Sequence, residues 1–365
     1  MRVLGLSSYP VEAAATRYRL AQFVQPLAKK GIFLEISPFL NSELFEIQYQ
    51  NKSVFQKIPR LSKAIWRRFA ETVQIRKFDL LFVQREAMFF GPAFFEWFFQ
   101  KIGNVPLILD LDDATYLSYE SPTYGKIGSF LKFFGKTDNL IKRANTVICG
   151  NRFIAEYVEK KGANAVIVPT VVDTEKFVPV EKNNQIPVLG WIGTHSTFPL
   201  LQSVFPVLER LARKHEFVLK IVGAGVEDIK LQGVKIENLA WNLKREISDF
   251  QSLNIGLYPI QATKNASDEW LLGKSGFKAI QYLSVGIPFV MTPIGVCAEI
   301  GEPNKTHFNA KTDEDWYNFL DKLLANADLR QKMREKGREY SLKHFTVPKQ
   351  TEILAETFRS ALKEI

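Results

Sequence analysis

The sequence is poor in the residues that build redox, metal and disulfide chemistry. It holds two cysteines, Cys149 and Cys297, and four histidines in 365 residues. Two cysteines make neither a disulfide framework nor a zinc site. Both lie in small-residue apolar settings that suit buried thiols. No run of 18 apolar residues occurs, so no helix is expected to span a bilayer. The opening "MRVLGLSSYP" has too short an apolar part for a signal peptide and reads as a first strand. A cytoplasmic setting fits these absences.

Familiar catalytic signatures are also missing. No G-x-G-x-x-G follows the first strand, and "GAGVED" at 223–228 has two glycines without the third. There is no G-x-x-x-x-G-K-[ST], no G-x-S-x-G and no H-E-x-x-H. Nicotinamide-type hydride transfer, P-loop phosphoryl transfer and serine or zinc hydrolysis lose support.

What is present has an ordinary globular balance, 46% apolar and 24% charged. The length exceeds one usual hydrophobic core, so two domains are expected. Strand-like runs alternate with helical ones: "RVLGLSS", "FDLLFVQ", "PLILDLDD", "TVICG" and "AVIVPT" separate helical stretches that include 16–31 and 151–162. After the polar stretch "VEKNNQIP" the rhythm restarts with "PVLGWIG", a helix over 199–215, "FVLKIVG", "VKIENLAW" and "NIGLYPI". Alternation of this kind predicts parallel sheets covered on both faces. We therefore expect an α/β protein with a first domain over 1–180 and a second over 186–345. The natural ligand site of such a pair is the cleft between the carboxyl ends of the sheets.

The net charge is +9 and favours anionic partners. Residues 51–80 concentrate it, with Lys52, Lys57, Arg60, Lys63, Arg67, Arg68, Arg76 and Lys77 against Glu71 and Asp79. Leu61, Ile65, Phe69 and Val73 recur every four residues there, with Trp66 beside them, giving an amphipathic helix with a basic outer face. The following "FFGPAFFEWFF" is rich in aromatics. Two readings stand side by side: a core helix with a solvated basic face, and a patch for an anionic membrane surface.

Three glycine-rich turns follow strands in the second half. "GWIGTHST" places Gly193, Thr194, His195 and Ser196 between a strand and a helix, "VGAG" puts Gly223 after the next strand, and "GKSG" opens a helix at 273–276. Backbone N–H groups at such turns bind phosphate. Each turn alone is a weak signal. His215, His307 and His344 read as surface or helix-end residues, and His195 as more structural than catalytic.

These residues resemble a known family. "GWIGTHSTFPLL", "LKIVGAG", "NIGLYPI" and above all "GKSGFKAIQYLSVGIPFVMTPIGVCAEI" are similar to the retaining family 4 glycosyltransferases of GT-B architecture. "ATRYRLAQFVQPLAKKGI", "RANTVICGNRFIAEYV" and "VIVPTVVDTEKF" extend the likeness over nearly the whole chain. The resemblance implies two Rossmann-like domains facing across a cleft, an N-terminal acceptor side and a C-terminal donor side. It also implies a last helix, 347–365, that packs back on the first domain. It implies hexosyl transfer from a nucleotide diphosphate sugar to a glycan or lipid-linked acceptor hydroxyl, as in bacterial polysaccharide or lipopolysaccharide assembly. No metal, no other cofactor and no nucleic acid is expected. A cytoplasmic enzyme, peripheral on the inner face of the cell membrane, fits that role.

The family pattern carries over in part. Its second glutamate, a ribose ligand, falls at Gln281, whose amide oxygen still accepts a hydroxyl hydrogen bond. Its first falls at Gly273, which has no side chain, leaving Asp268 or Glu269 as stand-ins. Lys274 and Lys278 are expected to neutralise the donor phosphates, and Trp241 to lie near the base or simply to pack. Arg17 and Arg85 are assigned to the acceptor side. Arg19 reads about as well as a surface residue at a helix start as it does as a site residue. Asp112 and Asp113 look like a magnesium pair, but the resemblance favours sugar or acceptor contacts. Rival readings are a sugar-nucleotide-binding protein without transfer activity, a GT-B epimerase or phosphorylase, and, from charge alone, a nucleic-acid binder.

Overall fold

A computed structural model of the chain describes residues 1–48, 54–117, 130–181, 184–261 and 268–363. Lys52 of the basic stretch lies outside the described residues, as do the side chains of Lys57 and Asp268. Runs of Val, Leu and Ile build twelve strands in two sheets among them. The first holds β1 (Arg2–Ser7), β2 (Phe33–Pro38), β3 (Leu80–Gln84), β4 (Leu107–Leu111), β5 (Thr146–Cys149) and β6 (Ala165–Ile167). Their spatial order is β2-β1-β3-β4-β5-β6 and every pairing is parallel. Strands β3, β4 and β5 are buried along their whole length. Such strands lose the polar-apolar alternation because helices cover both faces of the sheet.

The second sheet holds β7 (Val188–Ile192), β8 (Val218–Val222), β9 (Lys235–Leu239), β10 (Ile255–Tyr258), β11 (Phe289–Met291) and β12 (His307–Asn309). Its order is β12-β11-β10-β7-β8-β9, again all parallel. Trp191, Ile221, Leu257, Val290 and Phe308 form its core with Trp316, Leu320 and Leu323 of the helix Asp313–Ala325. That helix starts on a capping box, in which Thr312 and Asp315 each accept a backbone N–H of the other.

The chain divides into two compact units, Met1–Thr170 with Val347–Ile365, and Val171–Thr346. Residues 171–180, which the sequence pattern attached to the first domain, pack in the second. Arg338 explains this: its guanidinium donates to the carbonyls of Thr174, Phe177 and Ser284 at 2.6–2.7 Å. The last helix, Val347–Lys363, lies in the first unit, with Phe358 edge-on to Phe82 at 5.0 Å and Glu352 paired to Lys30.

Several local expectations change. The stretch 16–31 is not one helix but Ala14–Arg19, a short 3-10 turn and Val24–Ala28. Pro26 lacks the N–H that a continuous helix would need. The stretch 199–215 splits into Phe198–Gln202 and Phe205–Ala212, with Pro206 in the first turn of the second piece. Strands β2 and β12 carried no clear pattern. His307 is not a surface residue. It is buried in β12, stacked on Phe289 at 4.9 Å and bonded to Thr306 and Asn309. Burial holds its pKa down at about 4. Cys149 and Cys297 are free buried thiols, each pushed up to about 12 by burial.

Candidate functional site

Because all strands of the second sheet are parallel, their following loops emerge at one edge. The chain builds β7, β8 and β9 outward, then returns to place β10 on the other side of β7. That reversal is a topological switch point, where the loops diverge and leave a crevice. The loops after β7 and β10 flank it.

Two clusters of the expected residues form at this edge. In the first, Gly193 follows β7 and Gly223 follows β8. Gly223 has φ +83°, and a Cβ there would collide with the Gly193 carbonyl oxygen and stand 3.4 Å from the Trp241 Cβ. Only glycine satisfies both demands. Beyond it, a Cβ at Gly225 would lie 2.8 Å from the Cβ of His195. The turns after β7 and β8 thus meet backbone to backbone at Gly193 and Gly223, with the side chains of His195 and Trp241 against them. Thr194, His195 and Ser196 are exposed, and Trp241 is half-buried. The Thr194 N–H is already taken by Thr197 Oγ1 at 3.1 Å, and Thr194 Oγ1 bonds Ser196 Oγ at 2.9 Å. The loop is therefore pre-shaped by its own hydroxyls.

The second cluster lies on the helix Phe277–Ser284 and the turn before it. Gly276 caps this helix in the left-handed region, φ +64°. Tyr282 pins the helix to the sheet by donating to the carbonyls of Gly190 and Leu257, each at 3.1 Å. Lys274 holds its ammonium 3.5 Å from the centroid of the Trp270 ring. Lys278 is half-buried, and desolvation lowers its pKa to about 8. Glu246 opposes that shift and Lys274 adds to it. Among the described residues Lys278 makes no ion pair or hydrogen bond. Gln281, three residues on, is only 3% exposed, and its amide makes no hydrogen bond among the described residues, although its polar atoms are not among the fully buried ones left without a partner. An amide at the rim of an otherwise buried side chain can exchange its solvent for a ligand hydroxyl. The segment after β9 links the clusters, carrying Trp241 to the first and Glu246 to the second.

Gly273 is buried and its N–H bonds the Glu269 carbonyl at 3.1 Å. Glu269 is exposed.

The carboxyl edge of the first sheet is built differently. Its switch point lies between β1 and β3. Ser8 Oγ, after β1, donates to the carbonyl of Glu86, after β3, at 3.2 Å. Arg85 stands at φ +63°, a strained conformation for a side chain of this size. Its guanidinium grips Asp112 through Nε at 2.5 Å and Nη2 at 2.7 Å, and reaches Asp113 at 3.1 Å. Asp112 is buried; burial opposes its charge, but Arg85 prevails and holds its pKa below the usual carboxylate range. Asp113 is half-buried. Arg17 donates to the carbonyls of Val11 and Glu12, each at 3.0 Å, and so braces the loop after β1.

Arg19 reverses its surface reading. It is 2% exposed, bonds Asp110 through both Nε and Nη2, and donates to the Val168 carbonyl at 2.7 Å. Burial disfavours its charge, but Asp110 more than compensates and keeps its pKa above the usual value. Asp110, a carboxylate inside the apolar strand β4, held the only hint, since a buried acid needs a cation beside it. Glu246 gave no signal beyond a helix start.

Two open parallel α/β units of this kind make the GT-B fold. No protein-family model matches the chain, and no curated protein sequence matches it. Solved structures do. A glycosyltransferase from Rickettsia africae aligns over 100% of this chain and 99% of its own, with TM-score 0.68 and 15% identity. HepE from Anabaena, in complex with UDP and glucose, aligns over 99% and 100%, with TM-score 0.70 and 13% identity. A sucrose-phosphate synthase from Thermosynechococcus elongatus aligns over 100% of both chains, with TM-score 0.69 and 12% identity.

Proposed function

We propose that this protein is a retaining glycosyltransferase. It moves a hexose-type residue from a nucleoside diphosphate sugar to an acceptor hydroxyl in glycoconjugate assembly. The observation that carries the reading is Gln281 beside Lys278 at a switch-point edge, each without a side-chain hydrogen bond or ion pair among the described residues. An amide plus a cation is what a ribose hydroxyl and a diphosphate require.

In this reading Gln281 accepts a ribose hydroxyl, and Lys274 and Lys278 stabilise the charge that grows on the departing diphosphate. Gly193 and Gly223 let the backbone approach the phosphates, and Trp241 stacks near the base. On the first unit Arg85 and Asp113 meet the acceptor, while Asp112 holds Arg85 in place. The leaving phosphate takes the acceptor proton, so no separate general base is assigned. HepE, of like fold, has been solved with UDP-glucose, which supports a nucleotide-sugar donor here.

A second reading rests on Gly273, where a glutamate of the family pattern has no counterpart: a protein that binds sugar nucleotides without transferring them. Hydrolysis or transfer from any nucleotide sugar dismisses it. The primary test is a thermal-shift panel of nucleotides and nucleotide sugars, since a ligand of the native state must raise its stability. At least one nucleoside diphosphate is expected to raise Tm, and a flat panel overturns the donor site.

A further inference from the structure

The first unit carries a second surface that the donor reading leaves unused. The helix Val54–Gln74 packs against the helix Phe94–Gly103. At their outer seam Trp66 meets Phe69 at 6.1 Å, Phe69 meets Phe94 at 5.8 Å and Phe98 at 6.3 Å, and Phe98 meets Trp97 at 4.9 Å. These rings form one connected patch, anchored where Phe69 packs on the core against Phe95 at 4.9 Å and facing outward at Trp66, Phe94 and Trp97. Trp66 is 73% exposed, and Val73, Phe94 and Trp97 are also exposed. A third segment adjoins: Leu131 accepts from the N–H of Gly91, just before the second helix. It presents Phe130, Leu131 and Phe133 to solvent, with Phe130 78% exposed. Burial of large apolar groups drives folding, so exposed rings gathered on adjoining segments mark a binding surface.

Charge identifies what binds. Lys63 lies one turn before Trp66, and Lys101 one turn after Trp97. Both are exposed, and neither makes an ion pair among the described residues. The acids of the same two helices face the other way. Glu96 is buried and accepts the Ala87 N–H at 2.7 Å. Glu71 is held by Arg68 at 2.7 Å and by Arg67. Exposed indoles flanked by unpaired lysines, with carboxylates withdrawn, match the interfacial layer of a bilayer bearing anionic headgroups. No described helix is long and apolar enough to cross a membrane, so the fit is to lying on the surface.

We infer that the Trp66–Trp97 face of the first unit docks reversibly on anionic lipid surfaces. Flotation of the full chain with vesicles tests it. Mixed phosphatidylglycerol and phosphatidylcholine vesicles should carry the protein up and blue-shift its tryptophan emission. Pure phosphatidylcholine should carry far less. Lys63→Glu with Lys101→Glu should weaken binding by at least about fivefold per charge removed, and added salt should weaken it further. Trp66→Ser with Trp97→Ser should lower it by at least about tenfold, with circular dichroism and the nucleotide thermal shift unchanged. Absence of wild-type flotation overturns the inference, as does full flotation of both double variants. A concentration-dependent dimer in sedimentation velocity that the Trp66→Ser, Trp97→Ser variant abolishes assigns the face to a second copy instead and also overturns it. The donor reading stands or falls separately, on the nucleotide panel.

Discussion

The carboxyl edges of the two sheets solve the same topological problem with opposite chemistry. At the first edge charges are matched inside the protein: Arg19 with Asp110, Arg85 with Asp112 and Asp113. At the second edge glycines bring turns into backbone contact, and Lys278 and Gln281 are left without bonds among the described residues. A satisfied network is rigid and presents one shape. An unsatisfied one is held in readiness for a ligand. The first edge therefore looks built to position Arg85, and the second to be completed from outside.

The contrast predicts where mutations hurt folding and where they hurt binding. The largest effect should come from Arg19→Met, which strands the Asp110 carboxylate in the core. A loss of about 3–5 kcal/mol is expected from breaking a buried pair, measured by urea unfolding. Arg19→Met with Asp110→Leu should recover much of it. Equal stability of Arg19→Met and wild type would falsify the view of the first edge as an internally neutralised network.

Next comes Gln281→Leu. Stability should hardly change, because the amide has no partner to lose among the described residues. Nucleoside diphosphate affinity should fall roughly tenfold, as for one lost hydrogen bond of about 1–1.5 kcal/mol. Calorimetry decides; an unchanged Kd removes Gln281 from the site.

Lys278 gives a pH signature. Its folded pKa, about 8, lies below the unfolded value. Between these values the unfolded chain binds more protons, so the unliganded protein gains stability as pH rises through that window. Diphosphate binding runs the opposite way: affinity should fall as pH rises through about 8, because the ammonium is lost. Lys278→Met should flatten both trends. Parallel profiles for variant and wild type would remove Lys278 from the phosphate subsite.

The smallest effect should be at His195. It is exposed, and what it offers is backbone shape near Gly225. His195→Ala should change stability within about 0.5 kcal/mol and affinity less than about threefold, by the same calorimetry. A larger loss would give the imidazole a direct ligand role.

Much of the architecture was legible in the chain. Strands such as "LLFVQ" and "LILDL" are buried on both faces, so their composition alone marks them. The edge strand β2 is half-exposed and ends on Pro38, and β12 is three residues long; neither carries enough apolar signal. The helices broken at Pro26 and Pro206 had their cause in view, since proline acts locally. The helix that carries Gln281 and the glycine turns were legible because a helix and a turn fix neighbours only a few residues away.

Sequence by itself determined the alternating α/β pattern, the positions of the glycine turns, and the placing of Lys278 and Gln281 three apart on one helix. Those are consequences of local backbone geometry. Only the tertiary structure decided which polar groups find partners. Arg19 and Asp110 are 91 residues apart in the chain, and no local rule pairs them. The same holds for His307 under Phe289, for Asp112 gripping Arg85, and for Gln281 remaining unbonded. Pairing and burial are set when strands and helices stack, and they settle whether a polar side chain stabilises the fold or stays available to a ligand.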